Sequence, residues 1–290
     1  MFEGAMVAMV TPFKNGQVDI NALRMLCAKL IDGGIDTLVP TGTTGEAATL
    51  SFEEHAMVIG HVIEEAKGRA KVLAGTGSNS TKEAILLTKA AKEKGADGAL
   101  LITPYYNKPT QEGLFAHFEA VAREVMIPIV LYNIPGRTSV KLEISTISKL
   151  AKIHNIVGIK ESCGSLEMVM DIMNACPSDF EVYSGEDALN VSIIAVGGKG
   201  VISVLGNLVP EKLSKMARLG LNGNIKDAVK VQLKLLPLIH ALFLETNPIP
   251  IKAALSMRKE IKEEYRLPMV KMSEKNKIIL KDEMRKLELL

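Results

Sequence analysis

The sequence predicts an α/β chain folded as a (β/α)8 TIM barrel with a C-terminal helical appendage, on three observations. Short β-rich runs alternate with helical patterns eight times along the chain. The residues able to do chemistry fall just after those runs. From about residue 223 the alternation stops, and the remainder reads as helices only. Such alternation builds a parallel sheet faced by helices, either closed as a barrel or left open and doubly wound. The 290 residues suit one barrel of about 250 residues with an addition.

The candidate strands, in chain order, are Ala5–Val10, Thr37–Pro40, Val72–Ala74, Ala99–Ile102, Ile129–Tyr132, Ile156–Lys160, Glu181–Tyr183 and Val201–Val204. Helix starts are signalled by Ser51-Phe52-Glu53-Glu54 and Ser80-Thr81-Lys82-Glu83, both with capping-box spacing. In that motif the serine hydroxyl accepts from an early helical N–H while the glutamate reaches back. Lys67-Gly68 and Lys94-Gly95 are matching stops, a basic last turn followed by a glycine able to adopt the left-handed conformation. The barrel is assigned to residues 1–222 and the appendage to residues 223–290, with breaks near Asn247-Pro248 and Leu267-Pro268. The Lys/Glu-rich end from Ser273 reads as a solvated helix face. No low-complexity linker precedes the appendage, so it is expected to pack on the barrel.

Composition narrows the function classes. With 47% hydrophobic and 23% charged residues, and no apolar stretch long enough to cross a bilayer, the chain reads as soluble. Met1-Phe2-Glu3-Gly4 shows no basic region leading into an apolar segment, which points to the cytoplasm. Cys27, Cys163 and Cys176 have neither CxxC nor metal spacing and are expected to be buried thiols. A net charge of +2 from interspersed acids and bases, with 4% aromatic residues, argues against a nucleic-acid partner. The five histidines, His55, His61, His117, His154 and His240, show no ligand pattern. Gly197-Gly198-Lys199-Gly200 precedes the eighth strand, so in a barrel it lies at the end opposite the chemistry and reads as a turn. With no Walker motif or complete GxGxxG, no nucleotide cofactor is expected.

Lys160 ends the sixth run, and in a barrel the last inward side chain of a strand points into the mouth where such enzymes react. An amine shielded from bulk water is more readily the free base that attacks a carbonyl to form a Schiff base. Other strand ends lead into Thr41-Gly42-Thr43-Thr44-Gly45-Glu46, Thr103-Pro104-Tyr105-Tyr106-Asn107, Tyr132-Asn133-Ile134-Pro135-Gly136-Arg137-Thr138 and Ser184-Gly185-Glu186. The glycine-flanked threonines offer amide donors and two hydroxyls to a small carboxylate, or they form an ordinary turn. Tyr106 and Tyr132 are either packed aromatics or phenols able to pass protons near the lysine. Arg137, after a Pro-Gly turn, suits a carboxylate held by two hydrogen bonds, or is a surface arginine.

Taken together, Gly42-Thr43-Thr44-Gly45-Glu46, Tyr105-Tyr106-Asn107-Lys108-Pro109, Tyr132 to Thr138, Gly158-Ile159-Lys160-Glu161 and Glu245 to Pro250 resemble the dihydrodipicolinate synthase family over nearly the whole chain. The Gly42–Glu46 and Gly158–Glu161 motifs also mark the wider pyruvate-dependent Schiff-base aldolases, including N-acetylneuraminate lyase and the 2-keto-3-deoxy sugar-acid aldolases, and the Pro-Gly-Arg-Thr segment narrows the match. The resemblance implies that Lys160 condenses with pyruvate and that Thr43, Tyr106 and Tyr132 form a proton relay. It gives Thr44 the pyruvate carboxylate and Arg137 the carboxylate of L-aspartate-4-semialdehyde, while Gly185 and Ile202 line the pyruvate end. The implied product is 4-hydroxy-tetrahydrodipicolinate, made in lysine and diaminopimelate biosynthesis with no metal or organic cofactor.

The resemblance further implies a homo-oligomer, a tetramer built from dimers, in which Tyr106 reaches a neighbour's site. Ala48, His55, Asn79, Glu83 and Tyr105 fit the family's L-lysine effector site. Ala47 and Phe52 depart from its regulated members, which implies weaker inhibition. Two readings compete: a sugar-acid aldolase, which would not need an arginine placed for a short semialdehyde, and a silent barrel that binds small acids without forming an adduct.

Overall fold

The computed structural model describes residues 1–290. Its strands β1 (Gly4–Ala8), β2 (Thr37–Val39), β3 (Lys71–Gly75), β4 (Gly98–Ile102), β5 (Ile129–Asn133), β6 (Ile156–Glu161), β7 (Glu181–Ser184) and β8 (Gly200–Ser203) all pair in parallel. They follow chain order round the sheet, and β1 pairs with both β2 and β8, which closes the barrel. The doubly wound alternative is thereby excluded. All eight expected strands are present, with no end shifted by more than two residues. β1 stops at Ala8: the Met9 N–H still donates to the Val39 carbonyl at 3.0 Å, but the Val10 N–H goes to the Asn207 side chain at 3.1 Å.

Eight helices alternate with the strands: α1 (Ile20–Asp32), α2 (Phe52–Ala66), α3 (Thr81–Lys94), α4 (Gln111–Glu124), α5 (Ile144–Leu150), α6 (Leu166–Ala175), α7 (Asn190–Ala195) and α8 (Pro210–Leu221). The capping box at Ser51 forms: its hydroxyl accepts from the Glu54 N–H at 3.2 Å, and the Glu54 carboxylate accepts from the Ser51 N–H at 3.0 Å. At Ser80 only half of it forms. Ser80 caps the Glu83 N–H at 3.4 Å, but the Glu83 carboxylate is taken by the Ser78 hydroxyl at 2.8 Å, which also accepts from the Ser80 N–H. Gly95 ends α3 in the left-handed conformation, φ +96°. A small hairpin outside the eight strand–helix units, Phe13–Lys14 against Gln17–Val18, turns at Asn15-Gly16 with both φ angles positive, the usual two-residue hairpin signal.

Inside the barrel Met6, Val39, Leu73, Leu100, Val130 and Ile202 pack with Tyr132 and Tyr183, and Phe2 lies in the same cluster. One irregularity decides which face of β6 carries its chemistry. Ile129 of β5 pairs with Ile156, but Val130 pairs with Gly158, so Val157 is an extra residue on β6. Val157 packs against the inner cluster while Ile159, two residues on, belongs to an outer one. Without the bulge those two would share a face. The shift brings Lys160 level with Tyr132 on one side and Tyr183 on the other. Gly158 is required there, since a Cβ would come within 2.4 Å of the Glu181 carbonyl oxygen.

The appendage contributes α9 (Ile225–Ala241), α10 (Ile249–Met257) and α11 (Glu274–Lys286). Leu235, Leu238, Ile251, Leu255, Leu280 and Met284 join Val7, Leu38 and Leu213 in one continuous cluster. Residues 258–273 are not helical, against the helices-only reading. Their polar groups bond to the barrel instead: Glu264 accepts from the Asn15 N–H at 2.9 Å, and Arg266 donates to the Thr49 carbonyl at 2.8 Å and to the Glu54 carboxylate. Gly197 to Gly200 form the expected turn at the far end, where the Lys199 carbonyl accepts from the Gly4 N–H at 3.0 Å. All three cysteines are free, but only Cys27 is buried; Cys163 and Cys176 are partly exposed. No helix is long and apolar enough to cross a membrane.

Candidate active site

A cavity of about 290 Å³ opens where the strands end, lined among others by Thr43, Leu100, Ile102, Tyr132, Arg137 and Thr138. Lys160 does not itself line this space. It is 5% exposed, and its Nζ stands 4.2 Å from the centre of the Tyr132 ring, over the negative face of the aromatic system. One residue beyond the Tyr132–Lys160 pairing, Asn133 faces Glu161. The Asn133 amide donates to both Glu161 oxygens, at 3.2 and 2.9 Å, and the Cys163 N–H donates to one of them at 2.8 Å. This buried clasp ties β5 to β6 beside the lysine. Burial raises the Glu161 carboxyl above its usual range, and these hydrogen bonds work against the rise.

Gly185 follows β7 and gives the lysine its room. A Cβ there would lie 2.8 Å from Lys160 Cε, 2.9 Å from its Cγ and 2.0 Å from Ser162 Oγ. Next to it, the Glu186 carboxyl is raised by burial and by Asp187, and the Lys160 charge opposes that rise. Ile202 is buried with Tyr132 and Tyr183, so the apolar end of the site is built from β5, β7 and β8.

Thr44 is buried, and its hydroxyl accepts from the Asn247 amide at 2.9 Å, which leaves the threonine proton free to donate to an anion. Arg137 sits on the helical turn Pro135–Thr138 and donates to the Asn247 carbonyl at 3.1 Å. One residue of the appendage therefore orients both carboxylate-binding candidates. Sequence reasoning assigned Asn247 no role, although it lies in the quoted Glu245 to Pro250 stretch.

Tyr106 stands apart. Its side chain is 90% exposed, on a loop where Tyr106 and Lys108 both have positive φ. Within one chain Thr43 and Tyr132 line the cavity and Tyr106 does not. The preceding residue, Tyr105, lines both this cavity and a second hollow of about 390 Å³. Ala48, His55 and Glu83 also line the second hollow, with Ala47 and Phe52 among its walls. Asn79 does not, but its amide donates to the Tyr105 carbonyl at 3.2 Å. Burial lowers the basicity of His55, whose Nε2 meets the Gly75 carbonyl at 2.9 Å and whose Nδ1 has no partner. No three His, Cys, Asp or Glu side chains converge in a metal-binding arrangement.

The sequence model of the Dihydrodipicolinate synthetase family matches residues 1–287. A 4-hydroxy-tetrahydrodipicolinate synthase of Syntrophobacter fumaroxidans is 54% identical over 285 residues, 98% of either chain. Among solved structures, a chloride-inhibited dihydrodipicolinate synthase of Acinetobacter baumannii complexed with pyruvate superposes with a TM-score of 0.98 at 43% identity, covering 100% of both chains. A DHDPS from Cyanidioschyzon merolae with lysine bound gives 0.96 at 39% identity, covering 100% of this chain and 99% of that one. From its barrel, its strand-end residues and these matches, the chain belongs to the dihydrodipicolinate synthetase family.

Proposed function

We propose that this protein condenses pyruvate with L-aspartate-4-semialdehyde through a Schiff base on Lys160, giving 4-hydroxy-tetrahydrodipicolinate. The observation that carries this reading is the buried Lys160 amine over Tyr132, with Gly185 leaving space around its stem. The amine attacks the pyruvate carbonyl carbon and water leaves. The cationic nitrogen then draws electrons from the neighbouring methyl group, which loses a proton and becomes an enamine carbon. That carbon adds to the aldehyde. The semialdehyde's amine next attacks the imine carbon, closes the ring and releases the lysine.

In this reading Thr43 and Tyr132 carry protons at the cavity, Thr44 donates to the pyruvate carboxylate, and Arg137 grips the semialdehyde carboxylate. Tyr106 completes the relay in a neighbouring copy, an assignment supported by its outward side chain. The working form is then a homo-oligomer, a tetramer in the family's manner. Residues 1–222 supply the catalytic barrel and residues 223–290 its support, and the protein acts in the cytoplasm. L-Lysine is the candidate effector of the second hollow, a role supported by the lysine-bound relative.

Treatment with pyruvate and borohydride, followed by peptide mass mapping, tests the central step. Lys160 alone should carry the reduced adduct, and Lys160→Ala should carry none. Labelling of another lysine, or undiminished turnover by Lys160→Ala, would overturn the assignment. Side-by-side assays with the semialdehyde and with sugar-derived aldehydes separate this activity from a sugar-acid aldolase.

A further inference from the structure

The loop that presents Thr43 and Thr44 is bracketed by two residues with left-handed backbones. Thr41 has φ +54° and Glu46 has φ +54°, ψ +38°. Neither is glycine, and a β-branched residue in that region is a genuine outlier, so something must hold each of them. Thr41 is held by its own hydroxyl, which donates to the Gly75 carbonyl at 3.0 Å. Glu46 is held from the appendage. Its buried carboxylate pairs through Oε1 with the ammonium of Lys252 on α10, and Oε2 accepts from the Arg266 N–H at 3.3 Å.

Lys252 is completely buried, with its amine 4.3 Å from the centre of the Phe13 ring and 5.1 Å from that of Tyr265. An ion pair sealed this deeply is often no more stabilising than apolar side chains of the same shape. What it does supply is direction, because a carboxylate with both oxygens engaged has few orientations left. The same stretch of chain carries Asn247, whose amide meets the Thr44 hydroxyl five residues before Lys252. The loop is therefore gripped at its middle and at its end by one short segment of the appendage.

We propose that Glu46 and Lys252 are positioning residues for pyruvate: their ion pair sets the bend of the Gly42–Glu46 loop, and so aims the Thr43 and Thr44 hydroxyls. The inference rests on Thr44 as the pyruvate-carboxylate contact. Glu46 itself lines the cavity, as do Asn247 and Pro248 of the appendage, whereas Lys252 lies behind it and would act on substrate affinity only through the loop.

The test compares Glu46→Gln, the double variant Glu46→Gln/Lys252→Met and Thr44→Val. The readouts are steady-state kinetics, the pyruvate concentration that half-saturates borohydride trapping on Lys160, and thermal unfolding. Each Glu46 variant should raise the half-saturating pyruvate about ten-fold, as when one charged hydrogen bond is lost, with a much smaller change in the KM for semialdehyde. The double variant should be no worse than the single one, since both break the same link. A lowered melting temperature with half-saturating pyruvate unchanged in either Glu46 variant would show a pair that only stabilises the fold and would overturn the proposal. Glu46→Gln is nearly isosteric, so it decides the matter even where the double variant does not fold. Thr44→Val separates the two levels of the argument. Unchanged pyruvate affinity in that variant overturns the carboxylate contact itself, whereas a loss there with none in Glu46→Gln overturns the positioning role alone.

Discussion

Gly185→Ala is the smallest change expected to disable the site. The backbone at Gly185 is not left-handed, so alanine adds no conformational strain, and the effect must come from space. The new methyl would sit 2.0 Å from Ser162 Oγ, 2.8 Å from Lys160 Cε and 2.9 Å from Lys160 Cγ. The Ser162 hydroxyl has no hydrogen-bond partner and can swing aside. Lys160 has less freedom, because Cγ lies close to the backbone of a strand clasped on both sides by β5 and β7. The amine must therefore move by a fraction of an ångström to about 1 Å, and a displacement of that size costs on the order of 100-fold in rate. Overpacking of this kind also destabilises the fold by about 1–3 kcal/mol. The assay is the rate of borohydride-trapped adduct at saturating pyruvate, alongside thermal unfolding. Adding Ser162→Ala relieves the shortest contact but not those to the lysine, so it should restore little of the trapping rate. Trapping as fast as in the parent protein, or full rescue by Ser162→Ala, would refute the claim that Gly185 is there to place Lys160.

Three further outcomes are expected. Arg137→Ala should lower kcat/KM for the semialdehyde by about 30-fold or more, from the loss of about 2 kcal/mol of charged hydrogen bonding, while pyruvate trapping on Lys160 changes little; equal loss for both substrates would make Arg137 a structural residue. L-Lysine titrated against activity at saturating pyruvate should inhibit only weakly, because Ala47 and Phe52 alter the hollow's wall, and calorimetry showing neither heat nor inhibition at millimolar lysine would remove the effector site. Burial pushes the basicity of His117 down to about 4, so below pH 6.5 the unfolded chain binds a proton that the folded chain does not. Stability contributed by the neutral ring is present above pH 6.5 and should fall by up to roughly 3 kcal/mol on going to pH 4; His117→Leu should flatten that slope in urea unfolding, and an unchanged slope would contradict the burial argument.

The sequence by itself determined the eight strand–helix units, the face on which the chemistry gathers, and Lys160, Tyr132, Thr43, Thr44 and Arg137 as candidates. These are legible because strand and helix periods, caps and strand-end turns are local, and because a parallel barrel gathers every strand's end on one face. The tertiary structure decided what depends on contacts between residues far apart in the chain. Val157 shows no sequence mark as a bulge, since only pairing with β5 reveals the extra residue, yet it determines that Lys160 points inward. Glu83 has capping-box spacing but bonds to Ser78, because a nearer hydroxyl competes for the same carboxylate. Tyr106 sits in a recognisable motif, yet its loop turns it outward and away from its own cavity. Asn247 and Lys252 lie some 200 residues from Thr44 and Glu46, a separation of 203 and 206 positions that folding alone closes. Local patterns name the reactive groups, but the direction in which each points is set by side chains that arrive from elsewhere in the fold.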